Sequence, residues 1–299
     1  KGRIVEEIES AIRSPYQRDR DRIIHSTSFR RLKHKTQVFV NTEGDHYRTR
    51  LTHSMEVSQI ARTISRYLLL NEDLSETLSL SHDLGHTPFG HAGEEVLSGC
   101  MNKYGSFNHN IQTLRIVTVL EKKYYKFNGL NLTIETLDGL IKHNGPVKNI
   151  NLYKKIIPQN LFYNKIKFNN YPSLEAQVAS ISDDIAYNNH DLEDGLRAGL
   201  FSIQNFKTVL PRSNLITKHL KNYKKYRKEI IINQIVRDLI NLMVIDVINT
   251  STENLKKINP QNINDIYKSN RLIVDFSAKM KIMVNQIKDF LKHNMYNHK

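Results

Sequence analysis

Apolar residues recur along this chain at the spacing of helix faces and almost nowhere alternate as a half-buried strand requires. Leu51, Met55, Val57, Ile60, Ala61, Ile64 and Leu68 fall on one stripe, which predicts a long amphipathic helix. Leu74, Leu78, Leu80 and Leu84 predict a second helix, carrying His82 and Asp83. Gly85, Pro88 and Gly90 interrupt it, and a new helix is expected to start near His91. Residues 111–122 and 174–200 read as further helices. The only place for strands is a short hairpin around residues 38–47, with Glu43-Gly44-Asp45 as its turn. The expected fold class is therefore all-α.

A chain of 299 residues can bury one large core, or one core with an appendage. Composition shifts near residue 205. The expected division is residues 1–204 as a core and 205–299 as a C-terminal helical extension packed on it, joined near Pro211 or Asn214. Residues 144–172, rich in Asn and Lys and punctuated by Pro146, Pro158 and Pro172, read as a partly irregular excursion between two helices.

Charge and cysteine usage narrow the function classes. The net charge of +14 favours anionic ligands, although a general richness in Lys, Asn and Ile contributes to it. The run Lys218, Lys221, Lys224, Lys225, Arg227 and Lys228, with Tyr223 and Tyr226, reads first as a solvated face. Single-stranded nucleic acid or a regulatory nucleotide is its functional alternative. Arg18, Arg20 and Arg22 alternate with Asp19 and Asp21, which predicts surface pairs or an oligomer interface. Cys100, the single cysteine, excludes an intramolecular disulfide and a cysteine-based zinc cluster, and reads as an inert thiol. It fits a reducing, cytoplasmic setting. Residues 230–248 contain Arg237, Asp238 and Asp246 and predict a buried helix rather than a membrane span. The first residues hold no signal-peptide core.

Titratable residues concentrate between His82 and Glu94. This stretch holds His82, Asp83, His86, His91 and Glu94, so an adjacent nitrogen and oxygen donor precede a His-Glu pair set three apart. His53, His82, Asp83 and Asp183 would form a mixed nitrogen and oxygen set suited to Mn²⁺, Fe²⁺ or Ni²⁺, and to Mg²⁺ less naturally. Spacing alone leaves open whether each is a ligand, a partner that orients a ligand, or an ordinary packed or solvated residue.

The segments Arg13–Arg22, Phe29–Phe39, Arg50–Ser54, His82–Glu94, Phe107–Asn110 and Glu175–Asp191, in that order, resemble the HD-domain superfamily of metal-dependent phosphohydrolases. More narrowly, the chain resembles the dNTP triphosphohydrolase family, the deoxyguanosinetriphosphate triphosphohydrolase-like proteins, over about two-thirds of its length. The resemblance implies a helical phosphohydrolase core with one divalent ion, Mn²⁺, Mg²⁺ or Fe²⁺, on His53, His82, Asp83 and Asp183. It prefers Asp183 over Asp184, because Asp183 stands four before Tyr187 and eight before Asp191. It further implies that Gln37, Tyr187 and Asp191 contact the deoxyribose and that Arg50 binds near the α-phosphate. His91 is implied as general base, general acid or nucleophile, Glu94 as its partner, and His86 and His109 as phosphate-side or relay histidines.

The implied reaction is hydrolysis of a dNTP to deoxynucleoside and triphosphate, in a homo-oligomer with a nucleotide effector as a further expectation. Two other readings stay open. One is an HD phosphohydrolase acting on another substrate, as a 5′-nucleotidase or a (p)ppGpp or cyclic-nucleotide hydrolase. The other is a nucleic-acid-binding regulator.

Overall fold

The structure is a computed structural model that describes residues 2–39, 47–154, 165–209, 214–221 and 225–296. Among them the regular elements are helices, and β-pairing is limited to isolated bridges, one of them between Thr36 and Thr49. The predicted hairpin turn lies outside the described residues, as do Pro158, Pro211, Tyr223 and Lys224.

Three helices form the centre. The first, α3 (Arg50–Tyr67), opens on a capping box in which Thr49 and Thr52 bond each other's backbone amides. Helix α4 (Glu72–Ser81) starts at Asn71, whose side chain accepts from the Leu74 amide, and carries Glu72 and Asp73 where the helix dipole favours them. The long α9 (Leu174–Arg197) starts at Ser173 in the same way. These three pack on one another. They follow α1 (Pro15–Ile24) and α2 (Thr27–Arg31). Between α4 and α9 come α5 (Gly90–Cys100), α6 (His109–Arg115), α7 (Ile134–Ile141) and the short α8 (Asn151–Lys154). Beyond α9 lie α10 (Ile203–Val209), α11 (Asn214–Leu220), α12 (Lys228–Ile258), α13 (Ile263–Tyr267) and α14 (Ala278–Leu291), the last leading into a π-turn at Lys292–Tyr296.

Apolar burial divides into two clusters that meet at α9. One joins Val57 and Ile64 of α3 and Ile185 of α9 to Leu239 and Met243 of α12 and Leu291 of α14. Helices beyond residue 205 thus share a core with the helices that carry the motifs. The second cluster gathers Ile23, Leu32, Leu78, Leu114, Leu137 and Ala179 under α1, α4 and α7. Residues 230–248 are buried along one stripe of α12, and among the described residues no helix is long and apolar enough to cross a membrane.

One reading needs correction. Asp19 and Arg22 are not surface pairs but internal ties. Asp19 accepts from Arg3 at 2.6 Å, from the Thr133 amide at 2.8 Å and from the Thr133 and Thr136 hydroxyls at 2.7 and 2.8 Å. Arg22 donates to the Leu130 carbonyl at 2.8 Å and pairs with Glu7. Alternation of charge placed them outside; the wrap of residues 2–7 and 130–136 over α1 buries them. Arg20 and Asp21 do pair near the surface. Cys100 is a free thiol, exposed at the end of α5.

Replacing Asp19 with alanine takes the close carboxylate from the buried Arg3 guanidinium and removes the acceptor of four donors. A loss of about 3–5 kcal/mol in unfolding free energy is expected, read from the urea midpoint; an unchanged midpoint would refute the role of this tie.

Candidate functional site

His53 stands one turn into α3 and is almost fully buried. His82 and Asp83 do not lie within α4, as the periodicity predicts: the helix closes at Ser81, and they occupy the tight turn that follows. Asp183 comes from the middle of α9. The fold brings these segments together. His53 Nε2 lies 3.0 Å from Asp183 Oδ1, and His82 Nε2 lies 3.5 Å from the same oxygen and 3.3 Å from Asp83 Oδ1. Asp184, one position on, points elsewhere and takes Lys288 at 2.8 Å.

The donor set fits a cation. His82 donates from Nδ1 to the Ser79 carbonyl at 2.7 Å, so its Nε2 carries a lone pair in the neutral ring. That Nε2 is buried, without a hydrogen-bond partner, and faces two carboxylate oxygens. A lone pair against two anions is repulsive unless a positive charge lies among them. His53, His82 and Asp183 have donor atoms close enough to hold one ion. Burial would raise the Asp83 and Asp183 carboxyls, but positive charge holds both well below the usual range: the Arg50 guanidinium for Asp83, and for both the His82 ring, which the two carboxylates raise to about 9 against burial so that a ring proton takes the place a cation would fill.

Arg50 opens α3 and donates from Nη1 to Asp83 Oδ2 at 2.6 Å, which leaves Oδ1 to face the two histidines His82 and His86. Its Nη2 approaches Gly90, where even a Cβ would lie 3.2 Å away. Phe89 and Gly90 both take left-handed backbone, φ 64° and 56°, and this double twist turns the chain out of the His82–Pro88 loop into α5. Gly85 is also sterically required, because a Cβ there would collide with the His109 carbonyl oxygen and the Thr113 amide of α6. The loop is thus pressed against the start of α6, which brings the remaining histidines in.

His86, His91, Glu94 and His109 form a second donor group beside the first. His86 stacks on His109 with ring centroids 4.0 Å apart and sets Nε2 3.3 Å from Asp83 Oδ1. Burial, with the charge of Arg50, pushes the His86 ring down to about 2 despite Asp83. Burial likewise lowers His109, against the pull of Glu94. Glu94 accepts from the His109 amide at 2.8 Å and from its ring at 2.9 Å, but stands 3.4 Å from His91 Nδ1. Its tighter partner is therefore His109. The His91 side chain is 71% exposed, with its ring edge-on to His86 at 5.2 Å.

Both groups border a cleft of about 610 Å³, lined by Gln37, Arg50, His91, Tyr187, Met295 and Tyr296, among others. Gln37 Oε1 is buried there without a partner. Asp191 is not exposed to the cleft. The Tyr296 hydroxyl donates to its Oδ2, and only Oδ1 is left unpaired. Burial, with Asp194 nearby, raises Asp191 to about 7, and burial beside Asp191 raises the Tyr296 hydroxyl further. Tyr187 and Tyr296 stack at 6.3 Å, with 19° between their planes.

Sequence reading did not find Tyr296, which follows the last helix of a segment without motifs. It also missed His143, whose ring stacks on His82 at 5.2 Å and whose Nε2 lies 3.6 Å from Asp183 Oδ2. A histidine two residues beyond the apolar run that forms α7 was the available signal for the second. Nothing local marks the first.

Residues 50–188 match the HD domain family model, from the start of α3 to the Asp183 stretch of α9. A deoxyguanosinetriphosphate triphosphohydrolase-like protein of Pelagibacter ubique is 56% identical over 299 residues, covering 100% of this chain and 81% of that protein. Proteins of the same name from Bartonella henselae and Agrobacterium fabrum are 51% and 48% identical, covering 100% of this chain and 76% and 75% of theirs. The likeness thus reaches past the motifs into the C-terminal helices. With an HD domain at its centre and relatives matched along its whole length, the chain belongs to the HD-domain family of deoxyguanosinetriphosphate triphosphohydrolase-like proteins.

Proposed function

We propose that the protein hydrolyses a deoxynucleoside triphosphate at the α-phosphorus, releasing deoxynucleoside and inorganic triphosphate. The observation that carries this reading is one cleft lined both by His53, Asp83 and Asp183 and by the stacked Tyr187 and Tyr296. The first set suits a phosphoryl centre; the second offers flat apolar surface for a sugar or base. The names of the relatives support the same substrate class.

His53, His82, Asp83 and Asp183 would hold a divalent ion, with Mn²⁺ favoured by the two imidazoles. When bound, such an ion supplies Lewis-acid polarisation of the phosphoryl oxygens. Arg50 adds a fixed positive charge beside them, kept in place by Asp83. His91 is assigned to proton transfer, at the exposed edge where a water or a leaving 5′-oxygen has access. Glu94 and His109 form a bonded pair behind it, and His86, kept neutral, lies between that pair and Asp83. Gln37 offers its unpaired amide oxygen to the sugar. Asp191, buried behind the Tyr296 hydroxyl, would meet the sugar only once that ring turns away.

Incubation of the protein with each dNTP and Mn²⁺ or Mg²⁺ tests the reading by product analysis. Deoxynucleoside and triphosphate are expected. Release of dNMP with pyrophosphate, or dNDP with phosphate, would place the cleavage elsewhere and overturn it.

A further inference from the structure

We infer that His190, seated by Glu56, holds His53 in the tautomer that leaves its Nε2 free to bind a metal ion, an inference that rests on the metal site proposed above. His190 is buried on α9, and its Nδ1 lies 3.2 Å from the Nδ1 of His53, with the two rings at 84°. Its Nε2 lies 2.9 Å from Glu56 Oε2. That carboxylate is in turn fixed by Arg48, which donates from Nε at 2.9 Å and reaches Glu193 at 2.6 Å and Asp194 at 3.1 Å with its other nitrogens.

The order of protons along this chain follows from donor chemistry. An ionised carboxylate only accepts, so the His190 proton sits on Nε2. In the neutral ring its Nδ1 is then an acceptor. The facing Nδ1 of His53 must carry the proton of that ring, and His53 Nε2 is left with its lone pair, 3.0 Å from Asp183 Oδ1. The opposite tautomer of His53 would place a proton where a ligand bond is needed. The Glu56–His190 pair also fixes the plane of the ring, as carboxylate and carbonyl partners do for histidines that hold metals. None of these residues belongs to the ligand set: His190 and Glu56 act through His53 as positioning residues. A packing role would ask of His190 only bulk, whereas this role asks for an acceptor at one atom.

Mn²⁺ affinity, measured by equilibrium dialysis, separates the two. His190→Leu keeps bulk and removes the acceptor; a loss of about 10–100-fold is expected. His190→Asn places an amide oxygen where Nδ1 was and is expected to recover most of the affinity. Should the leucine variant fail to fold, judged by its melting curve in EDTA, Glu56→Ala is the alternative. Glu56 is partly exposed, and removing it frees the His190 proton to move to Nδ1 and weakens Mn²⁺ in the same direction. Unchanged affinity in these variants, or an asparagine variant as weak as the leucine one, overturns the inference. Absence of Mn²⁺ binding in the unsubstituted chain overturns the metal site itself, and the inference with it.

Discussion

Asp183→Ala is expected to remove Mn²⁺ binding, whereas Asp184→Ala keeps it. The two aspartates are neighbours on α9, and successive helix positions differ in direction by about 100°, so only one can face the histidines. Oδ1 of Asp183 lies within 3.5 Å of both His53 and His82, and Oδ2 lies near His143. Asp184 is spent on Lys288 instead. Losing a partner outside a ligand set costs about 10–100-fold in affinity, and losing a ligand oxygen shared between two imidazoles should cost more. Equilibrium dialysis against Mn²⁺, with melting curves in EDTA to show that both variants fold, reads the difference. Equal affinities in the two variants would remove Asp183 from the site.

His91→Ala is the complementary case: turnover should fall by about 10²–10⁴-fold, the usual worth of a positioned proton-transfer group, while Mn²⁺ binding stays. The His91 side chain is largely exposed and fills no core space, so its removal leaves no cavity. Glu94 remains bound to His109, and the group around Asp183 does not include His91. Single-turnover rates with a dNTP, beside the dialysis measurement, separate chemistry from ion binding. Full activity in the alanine variant would mean that proton transfer belongs to another residue, with His109 the next to test.

Much of this could be read from the residues. The helical spacing over Leu51–Leu68 reappears as α3, and residues 174–200 as α9, because each has a long apolar stripe and a polar cap at its start. The density of titratable residues from His82 to Glu94 marked the stretch that the fold brings beside His53 and Asp183 in the candidate site. The end of α4 was misread by the same rule that found it: Leu84 continues the stripe although the chain has already left the helix. Asp19 and Arg22 were misread because charge alternation says nothing about which segment will cover a helix. Tyr296 was invisible for a simpler reason. It meets Asp191 across 105 residues of chain, and no local spacing encodes such a pairing. His190 was equally hidden; as part of a dense polar run on α9 it looked like any other member until its two ring nitrogens acquired neighbours.

Gly85 has a consequence for the history such a cleft can have. The loop bearing His82, Asp83 and His86 lies so close to α6 that a single methyl group has nowhere to go. That side offers no room for stepwise change, and substitutions there would be eliminated before they could alter what is accepted. Tyr187, Met295, Tyr296 and Gln37 also line the cleft, drawn from three separate segments, two of them at helix ends or beyond. Drift in substrate choice among descendants of this fold is therefore expected to accumulate on that aromatic wall, with the chemistry inherited unchanged beneath it.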